Sequence, residues 1–262
     1  MRARLIKKTM FTKHANQEVD TIIIIHWLLM SFCAGIMNSV AFIGLGTFAT
    51  HVTGFGTLFG VHLANAQMGN AMAALAVPLF FLLGAVISGL CVEAQIRQDK
   101  VPHYDYVMYA CSILLFIACA VGSLRSFETA QNSLHLKSNF VLLSLICLSS
   151  GLINAALSYS THATVRITHL TGVTTDLGRG IAELISLRIR KSKGLPVELH
   201  LNLIRIFTIF AFMLGGLVGA LLFHIIFFYA LLIPALYFGY VGEHGRKIKK
   251  SFKLIEAAEN AR

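Results

Sequence analysis

Apolar residues in this chain come in runs far longer than one face of a soluble helix requires. No charged side chain occurs between Asp20 and Glu93, and a second uncharged run lies between Arg205 and Glu243. Roughly 20 consecutive apolar residues cross the hydrocarbon of a bilayer. The runs therefore predict membrane spans near 22–46, 70–92, 104–122, 139–158, 202–221 and 224–241. The last two are nearly continuous, so a short turn is expected near Leu222–His224, and Pro78 and Pro234 are expected to kink their spans. Two stretches, 47–68 and 160–187, fit neither a span nor a loop, because they are apolar overall yet hold clusters of Gly, Thr and His.

Those two stretches are copies of one another. HVTGFGTLFG at 51–60 aligns with HLTGVTTDLG at 169–178, placing His51, Thr53, Gly54, Thr57 and Gly60 on His169, Thr171, Gly172, Thr175 and Gly178. Upstream, AGIMNSV at 34–40 matches SGLINAA at 150–156, so Gly35 pairs with Gly151 and Asn38 with Asn154. Downstream, FLLGAVISGL at 81–90 matches FMLGGLVGAL at 212–221. The histidine-to-glycine separation is 33 residues in the first copy (51 to 84) and 46 in the second (169 to 215). The difference of 13 is the length of the charged insert SLRIRKSKGLPVE.

An internal duplication with three spans per copy turns the second copy upside down relative to the first. The expected fold is all-α and integral to the membrane: six transmembrane helices as two inverted three-helix repeats, each with an interrupted or re-entrant segment. Repeat 1 is taken as 21–123 and repeat 2 as 139–241, flanked by a basic segment 1–20 and a basic tail 242–262. Eight crossings with parallel repeats also satisfy the charge pattern; six are preferred.

Charge supports this topology and says little else. Of 22 Lys and Arg, five lie in 1–13, four in 188–193 and six in 246–262, which places those segments and both termini on the cytoplasmic side. The net charge of +10 is thus read as a topology signal with affinity for anionic lipids, not for nucleic acid. The first span is taken as retained and not as a cleaved signal. Cys33, Cys91, Cys111, Cys119 and Cys147 are odd in number and lack metal-ligand spacing, so neither disulfides, a metal site nor a cofactor is expected.

Candidate chemistry lies in the paired motifs. Irregular backbone at membrane depth survives only when buried in protein or lining a wet cavity. The motif is therefore expected to break a helix around a site for a small polar or anionic solute. His51, Thr53, Gly54, Thr57, His169, Thr171, Gly172, Thr175 and Asp176 would form that site, with Asn38 and Asn154 hydrogen-bonding the broken helices. For a single copy, simple helix packing is the better explanation of such residues, and it is the pairing of two copies that favours a cavity. The second copy adds Arg166, Asp176, Arg179 and Glu183, a candidate charge network in which the last three share a helical face. His162 is seven residues from His169 without a carboxylate to complete a metal set.

The blocks ATHVTGFGTLFGVHLA and VRITHLTGVTTDLGRGIAE, each preceded by G-(I/L)-(M/I)-N, resemble the YoaK-like family of bacterial inner-membrane proteins of unknown function. The resemblance covers roughly 22–241 and implies a six-span inner-membrane protein for which transport is the usual suggestion. It also implies that Asp is common where this chain has Asn38, and Asn where it has Phe55, which leaves Asp176 as the main acidic candidate. The expected function is a non-enzymatic transporter or channel whose partners are membrane lipids and a small solute, with homo-oligomerisation left open. A membrane-embedded enzyme using His51, His169 and Asp176, or a scaffold without a solute path, are the rivals.

Overall fold

The computed structural model describes residues 21–98, 101–126, 140–160, 170–189 and 195–260. Among them all regular secondary structure is helical, with no strand. Long helices are α1 (Thr21–Leu45), α3 (Met68–Cys91), α5 (Tyr104–Ser126), α6 (Phe140–Ser160), α8 (Leu195–Ile226) and α9 (Leu232–Asn260). Between them lie α2 (Val52–Ala64), the short α4 (Glu93–Arg97) and α7 (Leu170–Ile189).

Among the described residues, five stretches are long and apolar enough to cross a membrane, and the fifth, Pro196–Lys250, covers 55 residues. At about 1.5 Å per residue such a stretch reaches about 80 Å as one helix, over twice the hydrocarbon thickness. It is in fact broken by a 3₁₀ turn, Phe227–Leu231, entered through Phe227 at φ 51°. The turn expected at Leu222–His224 lies a few residues later, because the α8 ladder continues to Ile226. Pro78 is inside α3, whereas Pro234 occupies the first turn of α9, where no helical donor is lost. The expectation of a Pro-kinked last span is thus replaced by a break at Phe227.

The core is made by α1, α5, α6 and the start of α9. Trp27, Met30, Ile36, Met37, Met108 and Phe238 are all 2% exposed or less. Large apolar side chains face outward along α3 and α8, among them Leu79, Leu82, Leu90, Phe207, Phe210 and Leu217. Unbroken apolar surface of this kind requires lipid or protein around it.

The two tightest helix pairs join the halves of the chain crosswise. α1 packs most heavily on α8, and α3 on α6. Each seam is set by glycines without room for a side chain. A Cβ on Gly35 would lie 2.8 Å from Gly216 N, and one on Gly215 would lie 2.7 Å from Phe32 C. In the other seam, a Cβ on Gly84 would lie 2.9 Å from Leu152 N, and one on Gly151 would lie 2.9 Å from Phe81 C. In each case the facing carbonyl oxygen is nearer still. Gly35 and Gly151 are duplicates, as are Gly84 and Gly215, so one contact is built twice.

Other contacts fix directions. Ser31 Oγ donates to Thr208 O at 2.9 Å, and Gly219 meets Ile36 and Ser39, so α1 and α8 run parallel. α5 and α9 run antiparallel, since Ser112 Oγ donates to Ala235 O (2.8 Å) while Asp105 reaches Lys249 at 3.5 Å. His103 N donates to Cys91 O at 3.0 Å, which brings the start of α5 to the end of α3.

Candidate functional site

After α1 the chain turns back on itself. Gly46 at φ 74° makes the bend, and Thr50 returns to the level of Asn38. The Asn38 Oδ1 accepts from Thr50 Oγ1 at 3.1 Å and from Thr50 N at 3.4 Å. Cys147 Sγ donates to Ala49 O at 2.9 Å, holding the same loop against α6. Asn38 precedes the end of α1 by seven residues, so α2 begins about 10 Å inside the end of that helix. Asn38 thus holds Thr50, two residues before α2 begins, by its backbone N–H and its hydroxyl. α2 then packs along α3, to which the turn Asn65–Gln67 connects it, with Ala66 at φ 56°. The His62 ring meets Gln67 Oε1 at 2.8 Å across this turn.

The motif does not itself break the helix. HVTGFGTLFG is helical from Val52, and only His51 stands at the break. Its glycines therefore have another use. A Cβ on Gly54 would lie 2.9 Å from Cε1 of His51, whose ring lies over that glycine and edge-on to Phe48. Gly56 and Gly60 face open space, as does Gly178 in the second copy. Phe55 and Val173, at equivalent positions, anchor their helices by burial at 2% and 3% exposure.

The threonines are matched as well. Thr57 Oγ1 donates to Thr53 O at 3.2 Å and Thr175 Oγ1 to Thr171 O at 2.9 Å, and all four residues are exposed. Gly172 is half-buried beside them. Each motif helix packs on the next helix of its own half, α2 on α3 and α7 on α8, with no extensive packing of α2 on α7 among the described residues. Asn154 is buried in α6 and donates to Ser150 O at 2.7 Å. His162, Arg166 and His169 lie outside the described residues, so the network expected around Arg166 is represented by Asp176, Arg179 and Glu183. Arg179 Nη1 reaches Asp176 Oδ1 at 3.3 Å, with the arginine 78% and the aspartate 28% exposed, and Glu183 is exposed.

A more deeply placed polar cluster sits one helix further on. Glu198, Asn202 and Arg205 share one face of α8 at spacings of four and three. Arg205 Nη1 donates to Glu198 Oε1 at 2.7 Å and to Asn202 Oδ1 at 2.6 Å. The arginine and glutamate side chains are only 15% and 12% exposed. Gly180 of α7 lies directly on this cluster, where its Cβ would come 2.6 Å from Glu198 Oε1. Asn202 Nδ2 and Arg205 Nε are buried without an acceptor, and each such donor costs about 1–3 kcal/mol. In the sequence Arg205 stands out only as the edge of an uncharged run. The E-x3-N-x2-R spacing at 198–205 was the signal available.

Long apolar helices and an apolar exterior mark an integral membrane protein. Residues 26–242 match the family described as "Protein of unknown function (DUF1275)". The chain belongs to that family, consistent with the YoaK-like resemblance of its paired motifs. No curated protein and no solved structure shows significant similarity to it. Among the described residues, no group of three or more His, Cys, Asp and Glu could hold a metal ion.

Proposed function

We propose that this protein is a membrane transporter of two inverted three-helix repeats, with a solute path between helices α2 and α7. The observation carrying this reading is the crosswise pair of glycine seams, which joins the first helix of each repeat to the other repeat. Parallel α1 and α8, antiparallel α5 and α9, and the meeting of α3 with α5 support an alternating order of six crossings. The basic clusters at 1–13, 188–193 and 246–262 then share the cytoplasmic side, with both termini. The halves also meet where α5 packs on α6, on the 3₁₀ turn and on α9, and inverted-repeat transporters alternate access by movement at such interfaces between their repeats. The start of α2, held back inside the bundle by Asn38, gives the path its irregular backbone.

In this reading His51, Thr53, Thr57, Thr171, Thr175 and Asp176 face the solute. Disulfide formation between Thr53→Cys and Thr171→Cys, in a chain lacking the five natural cysteines, tests whether the two helix starts converge. Efficient cross-linking in native membranes supports a shared path. Labelling of each from its own side by impermeant reagents, without cross-linking, refutes it. Asp176→Asn is expected to abolish coupled uptake while leaving folding intact, since its ion pair is exposed and contributes at most about 1 kcal/mol.

One observation favours a second reading. Gly56 and Gly60 on α2 face open space, as small residues do where a membrane helix meets another chain. A scaffold of this kind predicts that Thr53→Val and Thr171→Val leave function unchanged and that Gly56→Leu does not.

A further inference from the structure

We infer that Glu198, Asn202 and Arg205 form a binding site for a compact zwitterion, a group that presents anionic oxygens and an ammonium within a few bonds of each other. The inference concerns binding and stands apart from whether the protein transports anything.

Donor and acceptor counting leads to the anionic end. Both Nη1 hydrogens of Arg205 are used, one on Glu198 Oε1 and one on Asn202 Oδ1. What remains unpaired and buried are two donors, Arg205 Nε and Asn202 Nδ2, on a residue pair of which Asn202 is 3% exposed. The deficit is entirely of acceptors. A carboxylate or phosphate edge supplies two oxygens at once and suits a guanidinium edge better than any single acceptor.

Charge balance leads to the ammonium end. Arg205 is already neutralised by Glu198, so a bare anion would stand next to a carboxylate with no net attraction to hold it. A ligand carrying its own cation removes that repulsion, and Glu198 gives the cation a partner. Free amino acids have this chemistry, and so does the headgroup of phosphatidylethanolamine.

The first repeat lacks the site. Aligning FLLG at 81–84 with FMLG at 212–215 places Ala71 and Ala74 where the second repeat has Asn202 and Arg205. Both alanines are fully buried. On the facing helix, His62 stands where the second repeat has Gly180, so bulk moves from one helix to the other between the copies. The duplication thus provides one such site per chain, not two.

Two measurements on the purified full-length protein test this and separate the two sources. Equilibrium binding of radiolabelled alanine and glycine, without phosphatidylethanolamine present, reads the free amino acid. Native mass spectrometry of lipid retained from mixed phosphatidylethanolamine and phosphatidylglycerol vesicles reads the headgroup. One saturable site for either ligand is expected, weakened at least tenfold by Asn202→Asp, which keeps an oxygen for Arg205 but removes the free donor. Arg205→Lys, which keeps the charge opposite Glu198 but removes Nε, should do the same if Asn202→Asp fails to fold. Absence of both ligands from the wild-type protein overturns the inference, as does binding unchanged in these variants. Acetate competing as well as alanine does so too, since it would make the site a simple anion site.

Discussion

Two adjacent glycines on α8 make opposite predictions. Gly215 faces α1, where an added Cβ would lie 2.7 Å from Phe32 C, whereas Gly216 has nothing within 4 Å of its Cβ direction. Restoring ordinary contact after Gly215→Ala requires α1 and α8 to part by about 1 Å, a gap that forfeits a quarter to a half of each dispersion contact along the seam. Overpacking of this kind costs about 3 kcal/mol. The better helix propensity of alanine returns about 1 kcal/mol, leaving a net loss of about 2 kcal/mol. Gly216→Ala keeps only the favourable part and should stabilise by up to about 1 kcal/mol. Because the seam is duplicated, Gly84→Ala should behave like Gly215→Ala, and Gly89→Ala, which also faces open space, like Gly216→Ala. Unfolding midpoints of the four variants in detergent, followed by the loss of monodisperse protein on size exclusion after heating, read the difference directly. Gly215→Ala and Gly84→Ala as stable as their open-space controls would refute the close-approach argument.

Other features give smaller tests. Asn38→Leu leaves the Thr50 N–H and hydroxyl without their acceptor and should cost about 1–3 kcal/mol; amide exchange should rise at Val52–Phe55 before it rises in α1, and uniform exchange would contradict the pinning role. Ala66 holds φ 56° in the α2–α3 turn, so Ala66→Gly should raise stability by about 1 kcal/mol, measured by the same thermal assay. Of the five free cysteines only Cys91 is not buried, so a maleimide should modify it well before the others, as mass spectrometry of peptides would show.

What could be read from the chain alone divides along physical lines. The spans were legible because hydrocarbon demands long apolar runs, and α1, α3, α5 and α6 begin and end within a few residues of expectation. The duplication was legible because its copies share residues at fixed spacing. Its crosswise seams were not, since nothing in AGIMN or FLLG says which helix each glycine faces. HVTGFGTLFG misled in one respect: its glycines suggested a broken helix, but Gly46, outside the motif, makes the bend, and Gly54 instead admits the His51 ring. The Glu198–Asn202–Arg205 cluster went unread because its neutralisation depends on side chains meeting on one helix face, at the margin of a span where solvated charge is the ordinary expectation.

The crosswise seams also order events in time. Ser31 meets Thr208, so α1 must wait until 177 further residues have been made before its partner exists (208 − 31). At about 5–20 residues per second that delay is about 10–35 s. Throughout it, the bare backbone strip at Gly35 lies against lipid or an insertion factor instead of against α8. A nascent chain stalled between the halves would therefore hold two open grooves, and a second fragment supplied separately could close both.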